Sequence, residues 1–308
     1  MPPVLNSPAE LMAAFRGTAL DGLPVKRVPD CDDVLVIEWP EPEDLLTGWR
    51  AARDVMAVTG RRPVAVSGDD YGIHADGSDV SDDVLHDCNL EFFGPGPDEL
   101  PELEAASLNP DPWPPLNRWD TDEPEEPLDL ETVEHLLDFY QAGPDWDART
   151  VARDLLPGIT PSATLDVIQR HLLEKITSDP ALSTPLHSDQ VLKTSGALDW
   201  YVPGRVQLAL LPTTSPWLAM AWLYYFGEDD TATLVACLRH WHERWGAELV
   251  ASWDTMLQFT TTRRPDFGPE ALELARQQLS LAGNLDMPQI HLAWDLAHTN
   301  AWFLHDRP

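Results

Sequence analysis

Residues 231–261 read TATLVACLRHWHERWGAELVASWDTMLQFTT, and the reading of this run decides how the chain folds. Leu234, Leu238, Trp241 and Trp245 recur at i, i+4, i+7 and i+11, the stripe of an amphipathic helix. Asp229, Asp230 and Thr231 suit its opening, and Gly246 its close, because a left-handed residue costs glycine least. From Glu248 to Trp253 and from Thr255 to Thr261 the pattern alternates instead, which predicts two strands turning at Asp254.

Downstream, an amphipathic helix is expected over Pro269–Leu281, another near Pro288–Ala297, and a short strand over Ala301–Leu304. Immediately upstream, VQLALL (206–211) reads as a strand, and Trp217–Phe226 as an apolar helix or turn ending at Gly227. The 22 residues between Arg205 and Glu228 carry no charge, long enough to raise a membrane span. Pro212, Thr213, Thr214, Ser215 and Pro216 interrupt them midway, so strand, turn and helix fit better and no membrane association is expected.

The first 68 residues supply a second ordered block. Pro8–Phe15 reads as a short helix, VLVI (34–37) as a buried strand, Pro42–Val58 as a helix with the stripe Leu45, Leu46, Trp49, Ala52 and Met56, and RPVAVS (62–67) as a strand. This β–α–β succession favours two parallel strands joined by a right-handed crossover. The fold class is therefore α/β to α+β, a mixed sheet with flanking helices. The expected organisation is a β–α–β part over 1–68, an acidic Pro-rich linker over 69–127, a helical insertion over 128–204 and a C-terminal domain over 205–308. Within the insertion, 128–141, 148–156 and Ser162–Thr177 look helical; 178–204 is turn-rich.

Charge sharpens these boundaries. The 308 residues hold 52 acidic and 20 basic side chains, a net of −32, yet residues 69–147 alone hold 24 acids against Arg118. That quarter of the chain contributes −23 and also carries ten prolines, so 94–127 is expected to be extended, without regular helix or strand, and pinned to a folded surface by Trp113, Leu116 and Trp119. So acidic a chain is a poor ligand for nucleic acid or anionic lipid, whose binding rests on Lys and Arg releasing counterions. Cys31, Cys88 and Cys237 are far apart and form no CxxC pair, and the N-terminus has no basic-then-apolar leader pattern, which together predict a cytoplasmic protein.

At 240–250 the run HWHERWGAELV resembles the signature of an uncharacterised bacterial family, domain of unknown function 4253. Trp241, His242, Trp245, Gly246, Ala247 and Glu248 match its Trp-His-x-x-Tyr-Gly-Ala-Glu run, with Trp245 in place of Tyr. Pro216-Trp217, Asp254, Pro265, the stretch from Ala271 to Gln278, and Trp302-Phe303 add to the likeness, which covers about residues 205–308 with a fainter echo over 49–68. The resemblance implies a fold unit and no activity. It also implies that the N-terminal β–α–β part and the C-terminal block share one sheet, with 69–204 inserted between them.

His240 and His242 stand two apart on a helix, about 200° around it, and cannot share one metal. His242 lies beside Leu238 and Trp245, as a half-buried histidine bonded to a neighbour would; His240, Glu243 and Arg244 look like a solvated face. Glu248 and Asp254 border apolar strand sequence, where a charge needs a partner. With His242 they can form an acid/base cluster and are the candidate catalytic set; a salt bridge from Glu248 to Arg276 or Arg239 accounts for the same residues without chemistry. Asp69, Asp70, Asp76, Asp79, Asp82 and Asp83 lack the calcium-loop register and its closing Glu. Phosphate-loop, dinucleotide and serine-hydrolase motifs are missing, so no cofactor or metal is expected. The leading expectation is an acidic protein-interaction module with a basic protein partner, by analogy an immunity-like protein. The alternative is a small-molecule enzyme, a hydrolase, using His242, Glu248 and Asp254.

Overall fold

The computed structural model describes residues 3–28, 31–66, 95–114, 134, 147, 149–150, 153, 165–178, 203–228, 230–253, 255–282 and 289–306. The chain divides into two compact units: Met1–Trp113 with Trp200–Thr262 and Phe303–Pro308, and Pro114–Asp199 with Arg263–Trp302.

Among the described residues, seven strands form one mixed sheet. They are β1 (Val25–Val28), β2 (Cys31–Trp39), β3 (Arg62–Val66), β4 (Val206–Leu211), β5 (Glu248–Ser252), β6 (Met256–Thr260) and β7 (Ala301–His305), in the spatial order β1-β2-β4-β3-β5-β6-β7. All residues of β3, β4 and β5 are buried, which is why the inner strands read as continuous apolar runs. The expected mixed α/β class is found, and strands from both ends of the chain share the sheet.

One expectation needs correcting. β2 and β3 do point the same way, but they are not neighbours: β4 lies between them and is antiparallel to both, with Ile37 opposite Leu208 and Val64 opposite Ala209. The parallel pair is β3 with β5, in the register Ala65 to Ala251. A β–α–β pattern fixes strand direction and leaves room for another strand to enter the gap from far along the chain. β1 was not expected at all; only Val25 and Val28 point inward, with Lys26 and Arg27 exposed, as befits a short, charged edge strand.

Among the described residues, the N-terminal part of the first unit holds the helices α1 (Pro8–Ala14), α2 (Leu45–Asp54), α3 (Met56–Thr59) and α4 (Leu100–Ala106). α4, preceded by a 3-10 turn at Pro97–Glu99, corrects the expectation of an irregular 94–127. Pro97 and Pro101 fall in first turns, where their missing N–H costs nothing, and Leu103 buries itself on the body of the unit. Trp113 anchors this segment as expected, stacked on Trp241 with ring centroids 5.6 Å apart. Leu116 and Trp119 lie outside the described residues.

In the second unit, α5 (Leu165–Ser178) packs with two helices further along the chain. The helices expected over 128–141 and 148–156 fall almost entirely outside the described residues.

The deciding run folds as read. α6 (Thr231–Trp245) opens on the Asp230 carboxylate, which accepts from the Ala232 and Thr233 amides, and closes on Gly246 in the left-handed region at φ 63°. Beyond β6, α7 (Pro269–Leu279) and α8 (Gln289–His298) pack on each other, and Gln289 donates to the Leu272 carbonyl at 3.0 Å. A Cβ at position 246 would stand 2.0 Å from Thr262 Oγ1. Gly246→Ala therefore combines the left-handed penalty with displacement of Thr262, and an expected loss of about 2–3 kcal/mol is measurable by urea unfolding; an unchanged midpoint would refute this account of the helix end.

Candidate functional site

Glu248 is the first residue of β5 and Arg62 the first of β3. Because these strands are parallel in the register Ala65 to Ala251, the two residues come level at the same end of the sheet. Arg53, in the last turn of α2, reaches them from the side. Its Nε donates to Glu248 Oε2 at 3.0 Å and its Nη2 to Oε1 at 2.5 Å, a two-pronged clasp. Arg62 Nη1 donates to Oε2 at 3.3 Å, and Arg62 Nη2 to the Thr214 carbonyl at 2.7 Å.

The burial is uneven and sets the electrostatics. The Arg62 side chain is 2 % exposed and that of Glu248 10 %, against 41 % for Arg53. Burial pushes the Glu248 carboxyl up, but the hydrogen bond from Arg53 and the charges of both arginines outweigh it and hold the group below its usual range. Arg62 is lowered by burial despite Glu248, and Arg53 is raised, chiefly by its hydrogen bond to Glu248.

The anticipated salt bridge to Glu248 is thus present with different cations. Arg276 pairs with Glu273 within α7, and Arg239 pairs with Glu243 and Glu104. Arg276 and Arg239 are near Glu248 in sequence, whereas Arg53 and Arg62 lie 195 and 186 residues from it.

His242 is half-buried, and its Nδ1 donates to the Ala247 carbonyl at 2.9 Å, closing the end of α6 beside Trp217. Glu243 and Arg244 are exposed as expected, while His240 beside them is half-buried: its Nε2 donates to the Asn109 carbonyl at 2.9 Å, and its ring lies against Trp113 in an edge-on contact. Asp254 and the cluster from Asp69 to Asp83 lie outside the described residues. Among the described residues no group of three or more His, Cys, Asp or Glu side chains could hold a metal, and no helix is long and apolar enough to cross a membrane. The helical spacing of Trp217, Trp222, Trp241 and Trp245 predicts core; the last three are buried, whereas Trp217 is half-buried and donates to Glu104.

Sequence reasoning missed Arg61. It is 1 % exposed and donates to three backbone carbonyls, those of Leu5, Asp33 and Leu210, and to Asn6 Oδ1. Burial lowers its pKa to about 10, so it stays protonated at neutral pH. The one available signal was the placement of two arginines at the head of an apolar strand. An open cleft of about 590 Å³, lined by Pro40, Glu41, Pro42, Glu43, Asp44, Pro203 and Gly204, contains none of the candidates.

The sheet from β4 to β7, with α6 capped at Asp230 and closed at Gly246, coincides with a known family model that matches residues 207–306. Residues 207–306 match the family model of DUF4253, a domain of unknown function. No curated protein and no solved structure matches the chain. The DUF4253 domain contributes Glu248 and Thr214 to the buried ion cluster, while Arg53 and Arg62 come from upstream of it. Its sheet is likewise completed from outside, since β3 runs between its strands β4 and β5.

Proposed function

We propose that the chain is an acidic protein-interaction module whose middle segment, residues 69–147, upstream of the DUF4253 match, engages a basic protein partner. The observation that carries this reading is the confinement of charge: 24 acids and one base within residues 69–147. In the described part of that segment, Asp98, Glu99, Glu102 and Asp111 are exposed while the segment itself is docked through Leu103 and Trp113, so their charge faces solvent from a fixed base. Such a surface steers a cationic partner and raises its association rate. An immunity-like role fits that logic.

The enzyme reading draws less from the geometry. His242 is engaged by the Ala247 carbonyl and Glu248 by two guanidinium groups, and an acid/base role would require both to leave those bonds.

The test is a pull-down with the full chain at about 50 mM and about 500 mM salt, the range over which exposed charge pairs are progressively screened. A parallel chain carries Asp69, Asp70, Asp76, Asp79, Asp82, Asp83, Asp87 and Glu91 as Asn or Gln. A basic protein retained at low salt, released at high salt and lost with the neutralised chain is the expected result. Retention by the neutralised chain would sink the proposal.

A further inference from the structure

Residues 96–113 lie against a groove whose walls are the turn Leu218–Ala221 and helix α6. The Gly96 amide donates to the Ala221 carbonyl at 2.8 Å at one end. In the middle, Leu103 of α4 is buried, and the next residue, Glu104, is read twice: it accepts from Trp217 Nε1 at 3.1 Å and pairs with Arg239 at 3.6 Å. Arg239 is itself held 4.9 Å over the Trp217 ring and donates to Ser107 Oγ at 2.9 Å. At the far end His240 donates to the Asn109 carbonyl, Cys237 Sγ lies 3.8 Å from the Pro112 carbonyl, and Trp113 stacks on Trp241.

This is the layout of helix-in-groove recognition: an apolar anchor on one face of a short helix, a charged neighbour read by a guanidinium and an indole, and an aromatic anchor beyond the helix end. None of these contacts depends on chain connectivity, because the two sides are more than a hundred residues apart in sequence; the Glu104 and Arg239 contacts span 113 and 132 residues. The polar anchors are partly exposed, Glu104 at 49 % and Arg239 at 21 %, so each is individually weak. The sequence on either side of the segment is acidic, and that which follows it carries Pro114, Pro115, Pro124 and Pro127, composition that favours an extended linker over packed structure.

We infer that the face of the DUF4253 domain between Leu218–Ala221 and α6 is a recognition groove for acidic helical peptides that end in tryptophan, filled in cis by residues 96–113. The cis segment has the advantage of tethering and keeps trans ligands out until its own anchors are weakened. This groove does not depend on the basic-partner proposal: that one concerns what the acidic side chains meet outside, this one what holds their segment down.

Cys237, fully buried beside Pro112, reports on the groove. In a full-length chain carrying Cys31→Ser and Cys88→Ser it is the single thiol. Trp113→Ala in that background is expected to raise its maleimide labelling rate at least tenfold while leaving the cooperative melting transition in place. A labelled synthetic peptide of residues 95–114 is then expected to slow labelling again, and to bind the Trp113→Ala chain at least tenfold more tightly than the chain with Trp113. The same peptide with Glu104→Gln and Trp113→Ala should give no protection. Leu103→Ala serves as the second opening variant where Trp113→Ala fails to fold. Labelling that stays unchanged in the folded opened chains overturns the inference, as does a peptide that protects no better than its doubly substituted form.

Discussion

Replacing Glu248 by alanine lowers the unfolding free energy by about 3–5 kcal/mol, the cost of leaving a buried charge unpaired. Arg62, 2 % exposed, keeps the Thr214 carbonyl and loses its charged partner Glu248. Arg53→Ala costs far less, about 0.5–1 kcal/mol, because that side chain is 41 % exposed and water can replace its contribution. Joint replacement of Glu248 by leucine and Arg62 by methionine is expected to recover most of the loss, since an apolar pair of similar volume removes both desolvation penalties. Urea unfolding followed by tryptophan fluorescence measures all three; a Glu248→Ala loss below about 1 kcal/mol would mean that the cluster is solvated.

The same carboxylate predicts a pH signature. Its pKa is held below the ordinary 4.5, so the folded chain binds this proton more weakly than the unfolded chain does. The stabilisation is therefore complete above the ordinary value and lost as pH falls through the lower folded one. The stability difference between the unsubstituted chain and Glu248→Gln should be constant near neutrality and shrink below about pH 4.5. A difference that grew on acidification would contradict the assignment.

Arg61→Met carries the second large effect. Methionine keeps much of the stem and removes the guanidinium that ties Leu5 and Asn6, Asp33 of β2 and Leu210 of β4 together. Four charge-assisted bonds contribute about 1.5–3 kcal/mol each, and relief of the burial penalty returns part of that, so a net loss of about 4 kcal/mol is expected. Arg61→Lys recovers less than half, because an ammonium has three donors and no planar fork to span four acceptors. Hydrogen exchange should locate the damage at Leu5, whose amide bonds the Thr59 carbonyl in the segment next to Arg61. Unchanged protection there would show that the N-terminal segment is held by something else.

Legibility followed the range of the interactions. α6 could be read to the residue, because its cap at Asp230, its stripe and its close at Gly246 are set within a turn or two of backbone. The hairpin of β5 and β6 was equally local. α4 escaped notice because composition was read ahead of position: proline forbids a helix interior and favours a first turn, and Pro97 and Pro101 occupy first turns. Glu248 was singled out correctly as a carboxylate needing a partner, yet its partners could not be found, since nothing local links residue 248 to residues 53 and 62.

By itself the sequence determined the element types, the mixed α/β class, the confinement of negative charge to one quarter of the chain and the DUF4253 block, since each depends on periodicity, composition or a contiguous run. Only the tertiary structure decided that β4 enters between β2 and β3, that β3 in turn completes the sheet of the DUF4253 domain, and that Arg53, Arg62 and Glu248 form one buried cluster. Strand order and charge pairing are settled by which apolar faces and buried ions find cover across the fold, and that competition leaves no trace in any local window of residues.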